Sequence, residues 1–195
     1  MKKIILGILV LLVLGYIIKV VVFPPPIAPS KISPTSATIN KTSRKMKIIS
    51  SAFENNQILP TKYTCDGESV IPALQFQDIP EKARSLTLIL DDPDAPSGTF
   101  VHWIVFNMPV NSGGIGEASP APPGLPALNS AGQMKYYPAC PPNGEHRYFF
   151  KLYALDKMLD FKDPEKVDKK AIETQMKGHI LDHAELIGRY SRNRK

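Results

Sequence analysis

Only two cysteines occur in the 195 residues, Cys65 and Cys140, and they lie far apart. That spacing fits no zinc ribbon and no Cys-x-x-Cys redox pair. Neither follows the N-terminal apolar run in a lipid-attachment context. No Ser or Cys sits in a strained Gly-x-Ser-x-Gly elbow, so the usual signature of an α/β-hydrolase nucleophile is missing. There are four histidines. Two of them, His179 and His183, stand at i and i+4 and imitate half a metal site, but no Glu follows in the metalloprotease position. No metal and no cofactor is expected from these patterns. There is one tryptophan, Trp103, which reads as core. No internal repeat is visible.

Acid is absent from the first 47 residues, which hold eight of the 24 Lys and Arg. That leaves 16 basic residues against 18 acidic ones in the remainder, a net charge of −2, although the whole chain is at +6. A basic face large enough for a nucleic-acid duplex is therefore not expected. The basic excess lies beside a hydrophobic segment, and a membrane surface is its natural neighbour.

Lys2 and Lys3 precede an apolar stretch, Ile4 to Phe23, broken only by Lys19. At ~1.5 Å per residue this run reaches about 30 Å, the thickness of the bilayer core. Lys19 can snorkel to the far interface. A cleaved signal peptide would have a shorter apolar region and small residues before the cut. Here Val-Val-Val-Phe runs into Pro24 to Pro26 instead. Residues 1–23 are expected to be an uncleaved single-pass anchor, with everything after Phe23 outside the cytoplasm; cleavage would make the domain secreted. Residues 24–46, rich in Pro, Ser, Thr and Lys, read as an extended linker. The folded domain is expected over 47–195, a length that supports one core.

Within that domain Met46–Phe53 reads as a first strand. Ser85–Asp91 alternates and then turns wholly apolar, as a central strand does. Phe100–Met108 and the aromatic run Arg147–Leu155 read as two more. Residues 109–145 form a long connection rich in Gly, Pro, Asn and Ser, a length usually tied to function. Asp163 before Pro164 predicts a helix N-cap and first turn, with Val167, Ala171, Ile172 and Met176 at helical spacing and Gly178 as the stop. A second helix is expected over Ile180–Ile187. Strands first and helices last predict an antiparallel β-sandwich with peripheral C-terminal helices.

Two segments carry candidate chemistry. Asp91-Asp92-Pro93-Asp94-Ala95-Pro96 delivers three carboxylates into a proline-stiffened turn, followed by His102-Trp103 and Asn107-Met108-Pro109. Clustered carboxylates need donors, a cation or a proton to offset their repulsion. Tyr137 to Phe150 is a Pro-Pro turn feeding a strand that starts with His146, Arg147 and Tyr148, donor side chains suited to phosphate or carboxylate. Taken alone, Asp92 and Asp94 could simply cap a turn, and His102 could be a satisfied core histidine. Two cysteines in an exported domain suggest one disulfide; the alternative is two buried thiols.

These segments resemble the signatures of the phosphatidylethanolamine-binding protein family, which contains the Raf kinase inhibitor protein. Asp92-Pro-Asp-Ala-Pro96, His102-Trp103 and Asn107-Met-Pro109 are similar to the first signature. Gly144-x-His-Arg-Tyr-x-Phe-x-Leu-Tyr-Ala-Leu-Asp156 is similar to the second. Tyr63-Thr-Cys-Asp-Gly67, Asn129 and Gly178 to Tyr190 are similar to the bacterial and archaeal branch. The resemblance covers residues 47–192 and implies a Greek-key β-sandwich whose pocket takes small anions or a phospholipid headgroup. It implies ligand-binding roles for Asp92, Pro96, His102, Pro141, Pro142, His146 and Tyr148. Asp94 is expected to stabilise the turn, Arg147 to pair with a nearby acid, and Arg189 and Tyr190 to hold the last helix on the sheet. The chain departs from animal members in a shorter loop between Pro96 and His102 and in Cys140, where Gly is frequent.

The reading that follows is a non-enzymatic binding or regulatory module. Its imidazoles would be cationic or donating, with Asp92 orienting one of them. As in some relatives, the same surface could inhibit a kinase or protease, its protein target open. The alternative is a hydrolase using Asp92 and His102, with Cys140 as nucleophile unless it is bonded to Cys65.

Overall fold

The computed structural model describes residues 45–192. The expected membrane anchor and nearly all of the linker lie outside the described residues. No helix among the described residues is long and apolar enough to cross a membrane.

Nine strands follow one another: β1 Lys47–Ile49, β2 Gln57–Ile58, β3 Leu74–Gln77, β4 Ser85–Asp92, β5 Phe100–Met108, β6 Gly114–Ile115, β7 Leu125–Pro126, β8 Glu145–Leu155 and β9 Ile180–Ser191. They form a three-stranded sheet, β1-β3-β6, and a six-stranded sheet, β2-β9-β8-β4-β5-β7. Pairing is antiparallel except between β2 and β9, which run parallel. The fold is mainly β, as expected. β4 is buried along its whole length, because both of its faces are covered. Leu86, Leu88 and Leu90 point into the core shared with Ile48, Leu74, Phe76 and Ile115 of the small sheet. Ile89 points the other way, into a second core with Ile104, Phe106, Ile172 and Met176. A strand buried on both faces reads as continuous apolar sequence rather than as alternation.

The C-terminal region departs from expectation twice. Asp163 begins only a 3-10 turn, Pro164–Lys166, and makes no side-chain cap. The helix proper is α1, Lys169–Met176, and its N-cap is Asp168, whose carboxylate accepts from Ala171 N. Val167 separates the two. It is extended and buried in the second core, and Leu128 N donates to its carbonyl. That tertiary bond outweighs continuity of the helix.

The second departure is larger: Ile180–Ile187 is not a helix but the first part of β9. β8 would otherwise leave eleven residues of backbone donors and acceptors without a partner on one side, which burial does not tolerate. β9 pairs with β8 from Leu155↔Ile180 to Glu145↔Ser191. The buried positions Leu186, Gly188 and Tyr190 then follow period two. Gly188 allows the close approach, since a Cβ there would lie 3.2 Å from Phe53 and 3.4 Å from Leu59. Arg189 and Tyr190 therefore act from a strand. Tyr190 Oη donates to Asp66 at 2.8 Å, tying the end of β9 to the loop that carries Cys65.

Candidate anion site

The central strands bring their polar residues to one end of the large sheet. Asp92 closes β4, His102 lies near the start of β5, and His146 and Tyr148 open β8. β5 and β8 flank β4 on either side. On β8 the even positions His146, Tyr148, Phe150 and Leu152 are buried, while Glu145 and Arg147 face out. Asp92 shares the face of Leu90 and Leu88 by the same alternation.

His102 reaches that face through an irregularity. The β4–β5 register jumps between Leu90↔Trp103 and Asp91↔Val101, so His102 is the extra residue of a bulge. A bulge re-aims a side chain. Val101 and Ile104 point to the outer core, while Trp103 and Val105 point inward. His102 ends with its ring 5.2 Å from that of Tyr148, edge to face.

All four polar residues are buried, with exposures of 4% for Asp92, 4% for His102, 5% for His146 and 1% for Tyr148. Their partners are specific. Asp92 Oδ1 accepts from Asp94 N at 2.8 Å, closing a turn around Pro93. Asp92 Oδ2 pairs with His146 Nδ1 at 2.7 Å. The imidazole that Asp92 orients is therefore His146. The expected Asp92–His102 pairing, on which the hydrolase alternative rested, is not the one formed. Cys140 is not a free thiol in this arrangement either, because its sulfur lies 2.08 Å from that of Cys65, with the Cα atoms 5.3 Å apart.

His102 is held by Tyr137 instead. Tyr137 N donates to the His102 carbonyl at 3.0 Å, and His102 Nδ1 lies 2.9 Å from the Tyr137 carbonyl oxygen. A carbonyl only accepts, so Nδ1 carries the proton and Nε2 presents a lone pair. Burial pushes the His102 pKa below its ordinary value. The Tyr137 carbonyl, the Asp92 carboxylate, the Pro138 backbone and Asp91 oppose that effect without cancelling it. Of the two roles expected of the imidazoles, cationic or donating, His102 takes the donating one, toward the Tyr137 backbone. Phe100 packs on the ring at 4.8 Å between centroids and on Tyr137 at 5.5 Å.

Among the described residues the buried Tyr148 hydroxyl makes no hydrogen bond of ordinary geometry, although the Cys140 backbone approaches it. Burial first, and the negative Asp92 second, push its pKa well above the usual range for tyrosine.

The turn beside the cluster is locked from outside. Asp94 accepts from Arg147 N, Nε and Nη2 at 3.0, 2.8 and 2.7 Å. The guanidinium holds the Asp94 carboxyl down at about 2. Pro96 is exposed beyond this turn; Pro141 is buried and Pro142 exposed in the approach to β8. The disulfide closes the same edge. Cys65 N donates to Ala139 O at 3.0 Å, and Tyr136 Oη donates to the Tyr63 carbonyl at 2.8 Å. Gly67 is required in this loop, since a Cβ there would lie 2.2 Å from the Thr61 carbonyl oxygen. The Tyr63–Gly67 motif thereby braces the segment whose Tyr137 grips His102.

Tyr137 and Phe100 were not singled out from sequence. Tyr137 acts through its backbone, which leaves no side-chain signature; the only local hint is that a residue before proline is biased to extended geometry. A separate groove of about 440 Å³ lies between Trp103, Tyr136, Pro120, Pro122, Pro126 and neighbouring residues, and none of the four polar residues lines it. His179 pairs with Asp156 at 2.8 Å, and His183 stacks on Tyr153. Among the described residues no group of three or more His, Cys, Asp or Glu could hold a metal ion.

Fold and site define a two-sheet β domain with a buried polar cluster at one end of its central strands. Residues 49–191 match the sequence profile of the phosphatidylethanolamine-binding proteins, and the chain belongs to that family. It is 43% identical over 152 residues to a UPF0098 protein of Methanothermobacter thermautotrophicus, covering 75% of this chain and 99% of that one. A UPF0098 protein of Chlamydia trachomatis is 40% identical over 153 residues, with 76% and 100% covered. Among solved structures, a phosphatidylethanolamine-binding protein homologue from Chlamydia trachomatis superimposes with a TM-score of 0.73 at 39% identity, covering 77% of this chain and all of that one. E. coli YbcL shares the fold with a TM-score of 0.70 at 24% identity over the same 77% and its full length.

Proposed function

We propose that this chain is a binding module for a small oxyanion, held by Tyr148, His146 and His102 at the end of the central strands. The observation that carries the reading is the convergence of Asp92, His102, His146 and Tyr148, buried polar side chains from three adjacent strands, at one end of the large sheet. Polar groups that converge in an otherwise apolar strand setting are the usual sign of a ligand site. Asp92 serves by holding His146 through Nδ1, so that Nε2 faces away from the carboxylate. A phosphate or carboxylate group, free or as part of a phospholipid headgroup, has the acceptor oxygens this arrangement needs. A regulatory role toward a kinase or protease would use the same site as its sensor.

Isothermal titration with inorganic phosphate tests the reading. Wild type should bind, and Tyr148→Phe should bind about tenfold or more weakly, as expected for loss of one hydrogen bond to a charged group. Equal affinities, or no binding by wild type, would remove the site. The apolar run Ile4 to Phe23 supports an anchored, extracytoplasmic placement. Fractionation of the full chain should find it with membranes; recovery of the intact chain in a soluble cytoplasmic fraction would reject that placement.

A further inference from the structure

We propose that the groove beside Trp103 is a second binding site, for a small carboxylic acid carrying an apolar chain. It lies apart from the polar cluster and does not depend on how that cluster is read. Its volume of about 440 Å³ falls in the range of about 300–1,000 Å³ typical of small-molecule sites. The lining is mostly apolar. Trp103 and Tyr136, edge to face with centroids 5.8 Å apart, line it together with Pro120, Pro122, Pro126 and Met134.

The walls are held in place by the protein itself. Asn129 is buried. Its Nδ2 donates to the Lys135 carbonyl at 3.0 Å, and its Oδ1 accepts from Ala131 N at 3.0 Å and Gln133 N at 2.9 Å. This amide sets the turn from which Met134, Lys135 and Tyr136 run along the groove. Tyr136 Oη then anchors to the Tyr63 carbonyl at 2.8 Å. Elsewhere in the lining, Ala118 N donates to Ile71 O at 2.9 Å, and Pro126 pairs with Val105 of β5. Walls ordered in advance spare a ligand the cost of ordering them.

The donors along the groove select the occupant. Pro120, Pro122 and Pro126 have no N–H. The N–H groups of Ala118, Ser119 and Gly124 are spent on the carbonyls of Ile71, Gly116 and Pro122. The hydroxyls of Ser69 and Ser119 donate to Thr64 O and Ala121 O, each at 3.2 Å. A peptide laid here would find these donors closed to its carbonyls, and peptide recognition draws affinity from such main-chain bonds. One charged residue lines the groove, Lys135, and it is exposed. Among the described residues it forms no ion pair. The nearest acid in sequence on the facing segment, Glu117, is bound by Lys62 at 2.8 Å and by Tyr63. One available cation at the edge of an apolar trough complements one anionic head on an apolar chain.

The experiment follows the fluorescence of Trp103, the one tryptophan of the chain, in the full chain in detergent at neutral pH and constant ionic strength. Acetate, hexanoate and octanoate are added in separate runs. Octanoate should shift the emission saturably, hexanoate should bind about tenfold more weakly for want of two buried CH2 groups, and acetate should give no shift. Lys135→Gln should weaken octanoate about threefold to fivefold, the size of an exposed ion pair. Ala121→Phe puts a ring into the groove from an exposed position. It should abolish the saturable shift, and its residual response measures octanoate taken up by detergent. No saturable shift in wild type, equal affinity at all chain lengths, or unweakened binding by Lys135→Gln overturns the proposal. Displacement of octanoate by inorganic phosphate would put the carboxylate in the polar cluster and also overturns it. A ligand-free dimer that Ala121→Phe dissociates in sedimentation, or a proline peptide that binds the groove more tightly than octanoate, would assign the groove to that occupant instead. If Ala121→Phe does not fold, the chain-length series and Lys135→Gln still decide.

Discussion

His146 Nδ1 lies 2.7 Å from Asp92 Oδ2, and this pair joins the last residue of β4 to the second residue of β8. The residues are 54 positions apart, and both side chains are buried. The pair fixes two things at once. It sets which imidazole nitrogen carries a proton, and it ties the Asp92–Asp94 turn to the strand that presents Tyr148. Arg147, the residue between His146 and Tyr148, holds the same turn from its solvent side through Asp94. Two neighbouring residues on β8 thus hold two carboxylates of one turn, from opposite faces of the strand.

Asp92→Asn should therefore destabilise the fold. One amide oxygen cannot replace both carboxylate oxygens, so either Asp94 N or His146 Nδ1 meets an NH2 group. The expected cost is about 1–3 kcal/mol in urea unfolding, the range for an unsatisfied buried group. An unchanged midpoint would show that the pair contributes nothing to the free protein.

Tyr148→Phe should have opposite effects on stability and binding. In the free protein the variant removes a buried hydroxyl that makes no hydrogen bond of ordinary geometry among the described residues. Stability should rise by about 1 kcal/mol, since removing an unsatisfied polar group relieves its desolvation cost. Thermal unfolding without phosphate checks this. A loss of stability would mean that the hydroxyl is satisfied in the free protein.

Stability at low pH should depend on Asp94. Its folded value is about 2 against an ordinary 3.8. A depressed carboxylate contributes stability that is present above the unfolded value and is lost as pH falls through the folded one. Wild type should thus be more stable than Arg147→Ala at neutral pH, and the gap should close between about pH 4 and pH 2. The groups are solvent-exposed, so the effect should also shrink with salt. Unfolding at pH 7, 4 and 2 with and without added salt measures it; a gap that persists at pH 2 would assign the difference to lost packing.

The cysteines should be oxidised to each other in the native protein. Cys65 and Cys140 stand with Cα atoms 5.3 Å apart, well inside the range a disulfide requires. Thiol titration of the unreduced, denatured protein should find no free thiol, and two after reduction. Cys65→Ser with Cys140→Ser should lower stability by about 2–4 kcal/mol. Two titratable thiols before reduction would place the bond outside the native state.

Much of this was legible along the chain, for local reasons. The apolar run of β4, the aromatic run of β8 and the boundaries of β5 are periodicity and composition, which each segment carries alone. Asp92, Asp94, His102, His146, Arg147 and Tyr148 stood out because polar residues interrupt apolar strands beside prolines. The composition of β9 misled, since Ile180, Ala184 and Ile187 fit a helical face equally well. Only an unpartnered β8 edge made that segment a strand.

The sequence by itself determined which strands carry polar residues and that they meet stiff turns, because strand alternation and proline geometry act within a few residues. It also determined the family, through ordered motifs spread along the domain. Tertiary structure decided the pairings. Which imidazole Asp92 holds depends on the alternation of β8 against β4, and the placement of His102 depends on a bulge that exists only where β5 is paired. The tautomer of His102 depends on a carbonyl 35 residues away. These are relations between segments, set by sheet register and burial, and no single segment contains the information that fixes them.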